Sequence, residues 1–119
     1  MYSPQLLDHF QNPRHVGDIP GADATAEIEN PVCGDVLRLT MKASAGRITE
    51  IGFKAKGCVP SMACASALTE LVQGKTFAEA RALDRASLIE AVGGLPQAST
   101  HAAQLALDAL STALSQLKV

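Results

Sequence analysis

The sequence predicts an α+β domain, a three-stranded antiparallel sheet packed by about five helices, with the other sheet face partly exposed. Three observations predict it. Apolar and polar residues alternate with a period of two from Ala22 to Ala55, the apolar spacing becomes helical in the second half, and Pro, Gly and Asn punctuate both. With 119 residues, 47% hydrophobic and 18% charged, the chain suits one domain, residues 1–119, around a single core.

Ser3 is a capping residue before Pro4, whose fixed φ suits the first helical position, and Leu6, Leu7 and Phe10 form an apolar stripe that Asn12-Pro13 ends. In the first strand Ala24, Ala26 and Ile28 alternate with Thr25, Glu27 and Glu29. After a Pro31 to Gly34 turn, Leu37, Leu39 and Met41 alternate with Arg38, Thr40 and Lys42. Ser44-Ala45-Gly46 is a hairpin turn into a third strand, Arg47 to Ala55, with Ile51, Phe53 and Ala55 on one face. Ile48 is out of phase with them, the mark of either a bulge or a late strand start.

In the second half, Met62, Ala65, Leu68 and Val72 form the stripe of a helix from Ser61 to Gln73, with Gly74 at its C-terminal cap. Thr76-Phe77-Ala78-Glu79 has the form of a capping box and opens a helix reaching about Leu83. Asp84 can cap the next, which carries Leu88, Ile89 and Val92 to the stop at Gly93-Gly94. The last helix begins near Thr100 and lays Leu107, Leu110, Leu114 and Leu117 along one edge.

Composition narrows the function. Aromatic residues make up 3% with no Trp, so no platform for stacking nucleic-acid bases is expected. A net charge of -2 with scattered Lys and Arg argues against a nucleic-acid or anionic-membrane surface. No apolar run reaches the roughly 20 residues of a membrane helix, and "MYSPQLLDHF" has neither the basic nor the apolar region of a signal peptide, so a soluble, cytoplasmic protein is expected. Three cysteines, an odd number, point to thiols for metal or redox chemistry rather than to a disulfide framework.

The stretch "NPVCGDVLRLT" puts Asp35 on the same strand face as Cys33, Leu37, Leu39 and Met41. An inward carboxylate is costly unless it is paired, hydrogen-bonded or bound to a cation. Two readings stay open: Asp35 takes backbone N–H bonds at the strand entrance, or it faces a cation. Cys58, two residues before Pro60, lies just outside a helix N-terminus, where the dipole and free N–H groups favour an anion, so its thiolate suits a metal ligand or a nucleophile. Cys64, further inside that helix, reads as a small core residue, and Gly57, Ser61 and Ala63 are small, as the approach of a ligand requires. His9 lies in the first helix and His15 in "NPRHVG", whereas His101 sits at a helix start. If the fold gathers them, Cys33, Asp35, Cys58 and His101 make a four-ligand site competent for Zn, iron or an Fe–S cluster.

Four stretches, "YSPQLLDHFQNPRHVG", "NPVCGD", "FKAKGC" followed by "SMACASALTELVQGK", and "HAAQLALDAL", make the chain resemble the IscU/NifU N-terminal family of iron–sulfur cluster assembly scaffolds almost from end to end. The resemblance implies an α+β fold and a site at one end of the sheet for a nascent [2Fe–2S] cluster or Zn. It also implies work with a cysteine desulfurase, an Hsp70/J-type chaperone pair and acceptor apo-proteins, and a scaffold rather than an enzyme. Cys33, Asp35, Cys58 and His101 match four of the family's site residues. Two positions depart from the pattern. The family's third cysteine, associated with accepting sulfur, follows the histidine directly, where this chain has Ala102, and the chaperone-binding stretch reads "LPQAS", Leu95 to Ser99, without its second proline and lysine.

Three functions follow. The chain is a scaffold variant that binds iron, a labile [2Fe–2S] cluster or Zn through Cys33, Asp35, Cys58 and His101; or it is a relative without assembly activity that acts as a binding or regulatory partner of the same machinery; or it is a thiol enzyme with Cys58 as nucleophile, His101 as base and Asp35 as the orienting acid.

Overall fold

The computed structural model describes residues 2–30 and 34–117. The Ser3 hydroxyl accepts the Leu6 N–H (2.9 Å) and starts α1, Pro4–Gln11. The same hydroxyl donates to the Val92 carbonyl, and a Cβ added at Gly93 would crowd Ser3 and Gln5, so the start of α1 is fastened to a distant part of the chain.

The sheet follows the alternation. Strands β1 (Ala24–Asn30), β2 (Asp35–Ser44) and β3 (Arg47–Lys56) pair antiparallel in the order β1-β2-β3. The register sets Ala24, Met41 and Ile51 in one row and Ala26, Leu39 and Phe53 in the next, all buried. Ala45 and Gly46 both have positive φ, as a two-residue hairpin turn matching the strand twist requires. Ile48 is out of phase because of a bulge: Lys42 pairs with Glu50 but Ala43 with Ile48, leaving Thr49 as the extra residue and turning Ile48 into the core. On the opposite face, the Ile19 N–H donates to the Thr40 hydroxyl (2.8 Å), and Gly17 passes so close to Gly52 that no side chain fits there.

Helix α2 spans Val59–Val72, starting two residues before the expected Ser61, with Cys58 at its N-cap and Gly74 just beyond its end at φ 82. The expected single stripe is exceeded. Met62 is only half-buried, while Ala63, Cys64, Ala65, Ser66, Ala67, Leu68 and Thr69 are all buried, because α1 packs on one side of α2 and β3 and the last helix on others. Thr76 and Glu79 form a complete capping box opening α3 (Phe77–Arg81), and Asp84 caps α4 (Arg85–Ala91) through the Ser87 N–H. A 3-10 turn, Gln97–Ser99, leads into α5, His101–Ser115. The leucine edge expected for α5 is half right: Leu110 and Leu114 are buried, but Leu107 and Leu117 are only partly so, and Ala102, Ala103, Ala106, Ala109 and Ala113 complete the packed face. Small side chains let α5 lie close to α2, β1 and β2. Beyond it, the Gln116 amide brackets the Thr25 backbone, accepting its N–H (3.0 Å) and donating to its carbonyl (2.6 Å). Among the described residues, no helix is long and apolar enough to cross a membrane.

Candidate metal centre

Asp35 is the first residue of β2 and is 1% exposed. Its inward direction follows from the alternation that buries Leu37, Leu39 and Met41. Protein groups already compensate it. One oxygen, Oδ1, accepts the Cys58 N–H (3.0 Å), an unpaired donor at the start of α2. The other, Oδ2, accepts the Ser61 hydroxyl (2.8 Å) and the Cys58 thiol (3.5 Å). So the reading in which Asp35 takes backbone N–H bonds is met by a donor at a helix start 23 residues away.

Gly57 makes this approach possible. Its φ of 145° belongs to the region that favours glycine, and a Cβ there would collide with Asp35 Oδ1. Burial pushes the Asp35 carboxyl up, but the hydrogen bonds from Ser61 and Cys58, together with the nearby His101, outweigh it and hold the group below its ordinary value.

His101 opens α5, as its place in the sequence suggests. Its Nδ1 lies 3.2 Å from the Ala98 carbonyl in the preceding 3-10 turn. A carbonyl only accepts, so Nδ1 carries a proton and Nε2 is the ring nitrogen turned toward the site. That Nε2 is buried, has no hydrogen-bond partner, and lies 3.5 Å from Asp35 Oδ2. Asp35, Cys58 and His101 each aim one ligand atom at a common point, the three atoms lying within 4.8 Å of one another. Carboxylate oxygen, thiolate sulfur and imidazole nitrogen suit Zn or iron, with the backbone carbonyl behind His101 fixing its tautomer as metal-ligating histidines require.

The fold therefore gathers three of the four expected residues from two helix starts and one strand start; Cys33 lies outside the described residues. Thiol catalysis fits less well. A nucleophile–base–acid relay needs the acid at the ring nitrogen remote from the thiol, whereas here Asp35 shares the Nε2 side with Cys58 and a carbonyl occupies Nδ1. Cys64 is fully buried, and burial, with Cys58 nearby, pushes its thiol up to about 12, as befits a core residue. Ala102 is buried in the first turn of α5. Ser61 joins Asp35 to Cys58 through hydrogen bonds, a part its small size alone did not announce; the signal was a hydroxyl three residues after the cysteine, one helical turn on and beside it.

The family model described as the NifU-like N-terminal domain matches residues 1–119. The chain is 45% identical over 114 residues to the protein named iron–sulfur cluster assembly scaffold protein IscU 1 of Archaeoglobus fulgidus, covering 96% of this chain and 74% of that one. It is 36% identical over 121 residues to the IscU scaffold protein of Haemophilus influenzae, covering 98% and 95%. Among solved structures, the N-terminal part of a nitrogen-fixing NifU-like protein from Brucella abortus superposes with a TM-score of 0.79 at 19% identity, over 96% of this chain and 92% of that one, a likeness of fold.

Proposed function

Since the chain belongs to the NifU-like N-terminal domain family, we propose that it is a one-domain iron–sulfur cluster assembly scaffold, binding iron or a labile [2Fe–2S] cluster as cargo for acceptor apo-proteins. The observation that carries this reading is the buried His101 Nε2, aimed without a partner at Asp35 Oδ2 beside Cys58. A buried imidazole nitrogen facing a carboxylate is costly unless a proton or a cation stands between them. Cys33, two residues before Asp35 in the sequence, would be the fourth ligand. Two thiolates, an imidazole and a carboxylate also suffice for tetrahedral Zn, so the isolated protein is expected to take Zn when offered it. Sulfur would come from a cysteine desulfurase. Hsp70/J-type chaperones belong to the same proposal, with Leu95 to Ser99 as the contact.

The experiment is anaerobic reconstitution with iron and sulfide, followed by metal analysis and absorption spectra. A cluster that forms in the wild type and fails in Cys33→Ala and Cys58→Ala is the expected result; no metal and no cluster under any condition sinks the reading. A second reading rests on Ala102, a buried methyl where the resemblance expects a thiolate: the protein would then bind the assembly machinery without building clusters. Stable association with a desulfurase and no cluster on reconstitution is the outcome that favours it.

A further inference from the structure

Asp35, Cys58 and His101 offer the ligand atoms, and Ser61 lies against two of them. Ser61 is 5% exposed, and its oxygen lies 2.8 Å from Asp35 Oδ2 and 3.2 Å from Cys58 Sγ. We propose that Ser61 is the positioning residue of this centre, holding Asp35 Oδ2 in its ligand pose and keeping Cys58 aligned with it. The inference rests on the metal-binding reading above.

The hydroxyl has one proton and two neighbours. An ionised carboxylate only accepts, so the hydroxyl proton goes to Asp35, and the one Cys58 thiol proton is shared between the Ser61 oxygen and Asp35 Oδ2 (3.5 Å). Cys58 is thus linked to Asp35 Oδ2 both directly and through Ser61. When a metal takes Cys58 as thiolate, the thiol proton leaves to solvent and the links it makes are lost. Ser61 can then keep its bond to Asp35 or turn it toward the sulfur, so one hydroxyl serves both forms of the site.

The same bonds orient Asp35: Oδ1 accepts the Cys58 N–H, and Oδ2, which accepts the Ser61 hydroxyl, is the oxygen that faces His101 Nε2 at 3.5 Å. One oxygen, one sulfur and one nitrogen at compact spacing favour four-coordinate metals over the larger oxygen cages of calcium.

The test is titration of the purified protein with Co2+ alone, followed through its visible bands and its thiolate-to-cobalt charge-transfer band, for the wild type, Ser61→Ala and Ser61→Thr. Loss of a partner that orients a ligand weakens binding on the order of tenfold to a hundredfold, so Ser61→Ala is expected to bind Co2+ at least about tenfold more weakly with a shifted charge-transfer band, and Ser61→Thr to recover both. Amide exchange at Cys58, measured without metal, supplies a second readout: if Ser61 holds Asp35, its loss lowers protection of the N–H that Asp35 accepts. Wild-type behaviour of Ser61→Ala in both measurements overturns the inference and leaves the metal site standing. If the wild type binds no Co2+, the metal reading falls, and the exchange result alone decides whether Ser61 positions Asp35.

Discussion

Helix α2 carries two polar clusters, one at its N-terminus and one at its middle, and among the described residues only the first has a buried side-chain atom without a hydrogen bond. In the middle, His9 Nδ1 meets the Ser66 hydroxyl (2.8 Å), which also accepts the Arg14 N–H (2.9 Å). Thr69 donates to the Ser66 carbonyl (2.7 Å), and His15 Nδ1 lies 3.1 Å from the Thr69 hydroxyl. Arg14 pairs with Asp8 and Glu70, and burial, then the charge of Arg14, lowers the pKa of His9 and keeps it neutral. That cluster pins the stretch after α1 against α2. At the N-terminus the same residue types leave His101 Nε2 without a bond. Completeness separates the two: polar groups that satisfy one another hold the fold, and under the proposed function the unbonded imidazole nitrogen is where a metal would bind.

Substitutions can break this contrast, and the largest effect is expected at the N-terminal cluster. Cys58→Ala or His101→Ala should abolish tight Co2+ or Zn binding, measured by competition with a chromophoric chelator, while far-UV dichroism stays at wild type. Gly57→Ala should damage both properties, because its added Cβ displaces Asp35 and its backbone is strained, lowering the denaturation midpoint as well as metal affinity. Ser66→Ala should do the reverse of Cys58→Ala. It strips partners from His9 and from the Arg14 N–H and should cost about 1–3 kcal/mol in denaturant unfolding, with Co2+ affinity unchanged. A weakened metal site in Ser66→Ala would show that the two clusters are not separate.

The smallest expected effect is in pH dependence. The Asp35 carboxyl titrates lower in the folded protein than in the unfolded chain, where it ionises near about 3.9. Its contribution is therefore complete above that value and is lost as pH falls through the lower, folded one. Asp35→Asn should flatten the acid limb of a stability–pH curve measured without metal. For Cys64 the sign is opposite. Burial raises its thiol to about 12, so the stability tied to the neutral form is full below the unfolded value and is lost as pH climbs toward 12. Cys64→Ala should remove that alkaline loss, read from the same curve.

The sheet was legible because alternation is local: the residues facing the core from β1, β2 and β3 are those the period-two pattern selects, and the phase slip at Ile48, which left a bulge and a late strand start both open, is a bulge. Helix packing was less so. Leucines at spacings of three and four suggested an edge for α5, but alanines complete its contact face, since what matters there is how closely two backbones approach. Likewise α2 resembled an ordinary one-sided helix until α1 was seen to cover its second side. At the metal centre, Asp35 was conspicuous as an acid among apolar neighbours, and Cys58 and His101 as polar residues at helix starts. Ser61 was not, because its role depends on a strand 26 residues away.

The Gln116 amide that brackets Thr25 joins residues 91 positions apart, and its reach has a meaning for biosynthesis. Until residues 101–116 have left the ribosome, the outer side of β1 lacks its guard and His101 has not reached Asp35. The emerging chain thus gains protection from strand-to-strand aggregation and the imidazole of the proposed metal site in the same event, so under that reading a nascent chain still lacking α5 has no completed site in which to trap a metal.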